Sequence, residues 1–426
     1  MRNPDFNNIL DDCAWRQIAP YPEAAPSFAP NAGGSFTQAS NGKRSCFGRI
    51  ISDKFPVETG ETYFVSVTAY PHHIRDEHIN LHALINWHDN HWDDPSYWPP
   101  VTKRDYIKGV RAGDAIVFSG LFTAPGGLVL AGNPPVDAIY GELELCFKWS
   151  ETGSVTWKDA VVTVRPAEKR LVRAASLLAI PTQSEADSLH RLLGLIDEAA
   201  AEKPDILCLN ETVLTYNMDF LESAVTLDSG AVKAICGKAA EHGMYIVAGL
   251  VTDEDGILYN SALLIGPGGE IEGHYRKMQI PLFEAEKGLT PGDGLGVFDI
   301  HVNGRGVRIG IMICFDAEFP EIAAAMYRHG VEMIFIPTNG PVELGRRARD
   351  AGAYLVLSAR PGGTRIFAPS GRLLAEGKAS CAYEIDLNGQ HTEEWTGPGP
   401  GHADVKTVLK QERRTDLYND LERRTV

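Results

Sequence analysis

Residues 172–211, VRAASLLAIPTQSEADSLHRLLGLIDEAAAEKPDILCLNE, decide the fold class. Val172 to Ala179 is a run of apolar and small residues of strand length. Thr182 and Glu185 then stand at capping-box spacing ahead of Leu189, Leu192, Leu193, Ile196 and Ala199, which recur with the period of a helix face. Asp205 to Leu209 is a second short strand. The alternation continues downstream. Asp228 is placed to cap a helix that Gly243 ends, and Met244 to Val251 is again strand. Val307–Cys314 and Val331–Ile336 are strands on either side of a helix over Pro320–His329. Strand, helix and strand in repetition predict an α/β fold whose sheets are covered by helices.

Upstream the texture is different. Ile79, Leu81, Ala83, Ile85 and Trp87 alternate with polar residues, as do Leu143, Leu145, Phe147 and Trp149, and then Ala160, Val162 and Val164. Period two with turns such as Pro125-Gly126-Gly127 and Glu151-Thr152-Gly153 between the runs predicts an antiparallel β-sandwich of the jelly-roll kind. Arg165 to Arg170 reads as a linker. The expected organisation is therefore a β-sandwich over 1–170, an α/β domain over 171–388, and a charged, Gly/Pro-interrupted C-terminal arm over 389–426 that wraps the fold or a partner subunit.

Composition bounds the function. The chain has 426 residues with 40 Lys and Arg against 56 Asp and Glu, a formal net charge of −16. That balance opposes a sequence-independent grip on nucleic acid or anionic lipid. No apolar run approaches the roughly 20 residues of a membrane span, and the start carries no basic-then-apolar leader. Seven cysteines are scattered without CxxC pairs, the usage of a reduced, cytoplasmic protein.

Three windows carry chemistry. Gly310-Ile311-Met312-Ile313-Cys314-Phe315-Asp316-Ala317-Glu318-Phe319-Pro320-Glu321 is an apolar strand ending in a cysteine, with a proline suited to a first helical turn. A cysteine at such a junction is either a buried structural thiol or a nucleophile flanked by free backbone N–H groups. This window alone leaves both open. Ile206-Leu207-Cys208-Leu209-Asn210-Glu211 ends a strand in a carboxylate, and His274-Tyr275-Arg276-Lys277-Met278 supplies a lysine after a polar turn. In doubly wound sheets the carboxyl ends of strands gather on one edge, so residues far apart in sequence converge there.

Together the windows resemble the nitrilase superfamily of carbon–nitrogen hydrolases, with Glu, Lys and Cys in that order. The resemblance extends over about residues 172–388. It takes in Leu289-Thr290-Pro291-Gly292-Asp293, Arg347 to Val356 and Ala368 to Ala375. It implies a four-layer α-β-β-α sandwich with Cys314 as nucleophile, Glu211 as general base, and Lys277 and the Phe315 N–H facing the tetrahedral intermediate. It also implies a second glutamate before the Pro-Gly block, for which Glu286 is the preferred match and Glu284 the alternative. Asn339 is a candidate substrate-binding residue. Three departures stand out: Asn210 occupies a position where proline is common, the stretch Thr338 to Gly345 is short, and the β domain is an addition.

The implied activity is thiol-dependent, cofactor-free and metal-free hydrolysis of a non-peptide C–N bond, in an amide or carbamoyl compound rather than a nitrile. N-acyl transfer at the same site, or a catalytically silent binding protein, are the alternatives. The implied partner is a small-molecule substrate, with self-association into dimers or their multiples. His72, His73, His78, His82, His88 and His91, with Trp87, Trp92, Tyr97 and Trp98, have neither HExxH nor zinc-finger spacing. They read as a packing or oligomer surface, or as a carbohydrate-stacking one, with His78, Asn80 and His82 on a solvent face. The glycines at 266, 268, 269, 292, 294 and 296 form no nucleotide fingerprint, and Asn210-Glu211-Thr212 is an accidental glycosylation sequon.

Overall fold

The computed structural model describes residues 8–91, 101–129, 134–215, 220–340, 344–394 and 402–414. The chain forms two compact units, Met1–Glu168 with Gln390–Val426, and Lys169–Gly389. Among the described residues no helix is long and apolar enough to cross a membrane.

The first unit holds two largely antiparallel sheets, whose inner faces share a core of Ile50, Val65, Val67, Leu81, Ile85, Trp87, Leu143, Leu145, Phe147 and Trp157. Alternation sends Leu81, Ala83, Ile85 and Trp87 inward along Leu81–His88, and Leu143, Leu145 and Phe147 inward along Tyr140–Lys148. Ile79 belongs instead to the short helix Glu77–Asn80, which Asp76 caps, and Trp149 lies beyond its strand.

The outer face of these two strands differs from the sequence expectation. Asn80 and His82 are buried, not solvated. On that face Asn86 donates to Glu142 and Glu144, while Lys103 and Asp105, opposite Trp87 and Ile85 on the inward face, pair at 2.9 Å. The C-terminal segment extends the same sheet. His402–Asp404 pairs with Lys103–Tyr106, Gln390 accepts from Lys103 at 2.7 Å, and Glu412 reaches Lys148 at 3.4 Å. In its described residues the stretch expected as an arm supplies two strands and the helix Val405–Gln411 to the first unit. Trp92, Tyr97 and Trp98 lie outside the described residues.

The second unit has two six-stranded sheets face to face. One runs in the order Ile271–Arg276, Ile257–Ile265, Tyr245–Glu254, Ile206–Leu209, Leu171–Leu177, Ser380–Asp386. The other runs Gly296–Val302, Arg305–Ile311, Met333–Thr338, Tyr354–Ala359, Gly363–Phe367, Leu373–Gly377. Between them lies a core that includes Val172, Ile206, Val247, Leu264, Ile309, Phe335 and Val356. Helices Glu185–Ala200 and Gly230–His242 cover the outer face of the first sheet, through Leu192, Ile196, Val232 and Ile235. Pro320–Arg328 and Gly345–Ala351 cover the second, through Ala323, Met326 and Ala348. The layers are α, β, β and α.

Strands that are buried on both faces read as continuous apolar runs, which is the pattern of Ile206–Leu209 and Tyr354–Ala359. The helix caps sit elsewhere than the spacing predicts. Ser184, not Thr182, accepts from the Asp187 N–H, and Ser229, not Asp228, accepts from the Val232 N–H. Gly243 closes its helix in the left-handed conformation, as expected.

Two serines join the facing sheets. Ser176 donates to the Leu357 carbonyl and Ser358 to the Leu177 carbonyl, both at 2.7 Å and fully buried. A net hydrogen bond contributes about 1 kcal/mol, so Ser176→Ala and Ser358→Ala are each expected to lower unfolding free energy by about that amount. Chemical denaturation checks this, with an unchanged m-value as the sign that the fold persists.

Candidate active site

Glu211, Lys277 and Cys314 each lie within three residues of a strand's end, and the facing sheets bring them together. Glu211 comes after Ile206–Leu209 and Lys277 after Ile271–Arg276, both in the first sheet. Cys314 comes after Arg305–Ile311 in the second and opens the short 3-10 turn Cys314–Glu318. The Lys277 ammonium, wholly buried, lies 3.1 Å from Glu211 Oε1 and 2.7 Å from Glu284 Oε1. The other Glu211 oxygen accepts the Asn339 N–H at 2.7 Å. That same N–H and the Thr338 hydroxyl also act on the Cys314 thiol, pulling its pKa down. One backbone amide thus serves Glu211 and influences Cys314.

The glutamate that meets Lys277 is Glu284, where the sequence reading preferred Glu286. Glu284 is buried on the short helix Leu282–Ala285, while Glu286 caps that helix and is exposed. At 100° per residue, two positions apart means opposite sides of a helix, so only one of the pair can face Lys277. Phe315, half-buried, carries the next N–H along the turn, where amides lack an intrahelical partner. Asn339 is committed through its N–H to Glu211 and through Nδ2 to Thr212 Oγ1 at 2.6 Å. Pro341, Val342 and Glu343, in the shortened stretch, lie outside the described residues.

Two residues that the sequence reading left without a role hold this cluster. Asn260 donates to Glu211 Oε1 at 2.7 Å and to Glu284 Oε2 at 3.3 Å, so it fixes both carboxylates around the ammonium. No local signal marks it, because it sits mid-strand in Ile257–Ile265, far from either partner in sequence. Asp316 is fully buried and accepts from the Ile313 N–H, the Gln279 N–H and the Tyr275 hydroxyl, at 2.8 to 2.9 Å. It therefore ties the cysteine turn to the loop that follows Lys277. A carboxylate two residues after the cysteine was the signal available for it.

The backbone is specialised at the same places. Cys314 (φ 44°) and Thr212 (φ 49°) are non-glycine residues in the left-handed region, a conformation that costs about 1–3 kcal/mol and persists only where surroundings enforce it. Gly249 is required by close approach: a Cβ there would meet the Asn210 carbonyl at 2.5 Å and Glu211 Cα at 2.7 Å. Gly292 does the same against the Arg276 carbonyl, at 2.2 Å. Asn210, where proline is common, accepts from the Ala179 N–H at 2.8 Å and donates to the Glu211 carbonyl at 3.1 Å. A polar residue thus braces the strand end by other means.

Burial and the Glu211 charge push the Cys314 thiol up to about 11, against the opposing pull of Lys277. Burial works against the Lys277 ammonium too, but its two carboxylates outweigh it and raise its pKa. Burial raises Glu284, with Lys277 opposing. The resting site is therefore an ammonium between two glutamates beside a protonated thiol. Among the described residues one side-chain group has metal-ligand spacing, Asp197, Glu241 and His242 on the surface, and Lys238 already bridges its two carboxylates.

The family model described as Carbon-nitrogen hydrolase matches residues 172–382. The chain is 33% identical over 240 residues to a nitrilase of Pyrococcus abyssi (strain GE5 / Orsay), spanning 53% of this chain and 86% of that protein. It is 29% identical over 282 residues to an omega-amidase of Xenopus laevis, spanning 58% of this chain and 96% of that one. Among solved structures, a carbon-nitrogen hydrolase from Helicobacter pylori G27 aligns at 21% identity with a TM-score of 0.47, over 60% of this chain and 99% of that chain.

The charges around Cys314 give a prediction of opposite signs. Glu211→Gln removes a charge that raises the thiol pKa and is expected to lower its midpoint below about 11; Lys277→Met removes one that lowers it and is expected to raise it. The pH dependence of Cys314 alkylation by iodoacetamide, followed by peptide mass spectrometry, reads both. Shifts in the same direction would rule out this electrostatic account.

Proposed function

The chain belongs to the carbon–nitrogen hydrolase family, and from that premise we propose that it cleaves a non-peptide amide or carbamoyl C–N bond through a thioester on Cys314. The observation that carries this reading is the buried Glu211–Lys277–Glu284 cluster, whose Glu211 and Lys277 charges both act on the Cys314 thiol.

In this cycle Glu211 takes the thiol proton as sulfur attacks the substrate carbonyl carbon. The oxyanion that forms faces the Lys277 ammonium and the Phe315 N–H, charges and dipoles already fixed before reaction. Collapse breaks the C–N bond, and protonated Glu211 returns its proton to the leaving nitrogen, which departs as ammonia from a primary amide. Water then attacks the thioester with Glu211 as base, and the carboxylic acid and free thiol are released. Glu284 and Asn260 keep the ammonium and Glu211 in place throughout. A neutral thiol with a carboxylate base suits this order of events, because the nucleophile is generated during attack.

A feature of the site supports an amide over a nitrile. The Asn260 and Asn339 side-chain carbonyls are buried acceptors with no hydrogen-bond partner among the described residues. An amide brings N–H donors to them, and a nitrile brings none. For the first unit, the two sheets closed on one core support a jelly-roll-like accessory domain.

Ammonia release from a panel of primary amides, carbamoyl compounds and nitriles tests the reading, with Cys314→Ala as the blank. Amides are expected to lead, and the variant to lose at least roughly a thousandfold. Full activity in Cys314→Ala would falsify the thioester mechanism. Silence with water but new amide product on adding acceptor amines would assign acyl transfer instead.

A further inference from the structure

Two charged residues occupy core positions in the first unit. Lys103 lies opposite Trp87 and Asp105 opposite Ile85, where Lys103–Tyr106 pairs with Leu81–His88. Trp87 and Ile85 belong to the apolar core, and Lys103 and Asp105 are 0% and 1% exposed. The Lys103 ammonium lies 2.9 Å from Asp105 Oδ2 and donates to Gln390 Oε1 at 2.7 Å. Asp105 Oδ2 also accepts the Trp87 indole N–H at 2.8 Å. Asp105 Oδ1 is buried and has no hydrogen-bond partner among the described residues. An amine, a carboxyl group and a carboxamide thus meet at the edge of an apolar core.

The residues after Gln390 anchor it there. The His391 N–H donates to Asp404 Oδ1 at 3.3 Å, and the His391 carbonyl accepts from the Val405 N–H at 3.2 Å. His402–Asp404 runs as a parallel strand beside Lys103–Tyr106. A buried ion pair stabilises a fold no better than apolar side chains of similar volume, so stability alone does not account for Lys103 and Asp105 at core positions. Burial pushes the Asp105 carboxyl up, against the pull of Lys103. Passing one proton from Lys103 to Asp105 replaces two buried charges by a neutral acid and a neutral amine. A neutral amine is a nucleophile, and the carbon bonded to the oxygen it touches, Gln390 Cδ, is an electrophile.

We propose that Lys103 and Gln390 close an isopeptide cross-link, with Asp105 as the acid–base group. Lys103 Nζ attacks Gln390 Cδ, and the new N–C bond forms. Asp105 passes its proton to the leaving nitrogen Nε2, takes one from the attacking nitrogen, and ends as it began. The Cδ–Nε2 bond breaks and ammonia departs. One amide replaces another, so no oxidant, reductant or co-reactant enters. All of Lys169–Gly389 lies in sequence between the two residues, which are 287 positions apart. Closing so long a loop restricts the unfolded chain more than closing a short one. The competing role is static: the carboxamide completes the hydrogen bonding of a permanent ion pair.

Mass spectrometry of the intact, full-length chain separates the roles without any substrate. The cross-linked chain is expected to be lighter than its sequence by about 17 Da, the mass of one ammonia. Proteolysis is expected to yield a branched peptide joining the Lys103 and Gln390 segments, with trypsin failing to cut after Lys103. Lys103→Arg, Gln390→Leu and Asp105→Asn are each expected at full sequence mass. Asp105→Asn keeps both bonding partners and removes only the proton carrier.

A native chain of full sequence mass overturns the cross-link and leaves the static pair, whether or not any variant folds. A deficit without the branched peptide, or one kept in Lys103→Arg, overturns it too, because asparagine cyclisation loses the same mass. A cross-link kept in Asp105→Asn overturns the acid–base assignment. The bond is expected in Cys314→Ala as well; its loss there would assign it to acyl transfer at the thiol site and overturn self-closure.

Discussion

Everything at the candidate site depends on keeping one ammonium, that of Lys277, wholly out of water between two carboxylates. Removing such a charge from solvent costs several kcal/mol, and attraction repays it only if the partners are close and their remaining lone pairs satisfied. The requirement is met by strict placement: two contacts at 3.1 and 2.7 Å, with Asn260 spanning both glutamates from the other side. A well-packed apolar cluster would stabilise the fold at least as well. The buried ions therefore speak for chemistry rather than for stability. Their placement in turn dictates much of the local sequence, from Gly249, which lets the Glu211 strand end pass, to Gly292 against the Arg276 carbonyl.

The second demand is that elements from two different sheets hold register with one another. The sheets meet through an apolar core, which is tolerant of small sliding, and core packing alone does not fix a side chain to within a few tenths of an ångström. Directional bonds supply that precision. Ser176 and Ser358 join the sheets reciprocally, and Asp316 joins the cysteine turn to the lysine loop through three donors. With those in place, Cys314 and Thr212 can be held in a strained backbone conformation that neither would adopt alone.

How legible this was in the sequence depended on whether each signal was local. Apolar runs, a helix face and left-handed Gly243 are local, and they predicted the α/β layering. Glu211, Lys277 and Cys314 each end a strand-like run, a weak signal singly, and it was their order, resembling that of the nitrilase superfamily, that marked them. Glu284 was not separable from Glu286, since a helix of only four residues shows no periodicity to set the phase. Asn260 gave no signal at all, its contacts arising with neighbours distant in sequence. The polar face of Leu81–His88 failed for a related reason. Alternation distinguishes apolar from polar faces but does not say whether a polar face is wet, and burial here accompanies contacts that include Asn86 with Glu144 and Lys148 with Glu412.

The electrostatic character of the site also separates two ways of making a sulfur nucleophile. A thiol paired with an imidazolium or a helix N-terminus is held as thiolate at rest, at the cost of some intrinsic nucleophilicity and with a standing vulnerability to oxidation. Here the neighbouring carboxylate and burial hold the proton on sulfur up to about 11, while Lys277, the Thr338 hydroxyl and the Asn339 N–H pull the other way. In the proposed cycle the proton is retained until attack, when transfer to Glu211 removes the very negative charge that opposed ionisation. Deprotonation and loss of the opposing field become one event. In the proposed cycle this makes the ammonium more than a counter-ion: once Glu211 is protonated, Lys277 is freed from one of its two carboxylates and has its field available for the charge that develops on the substrate.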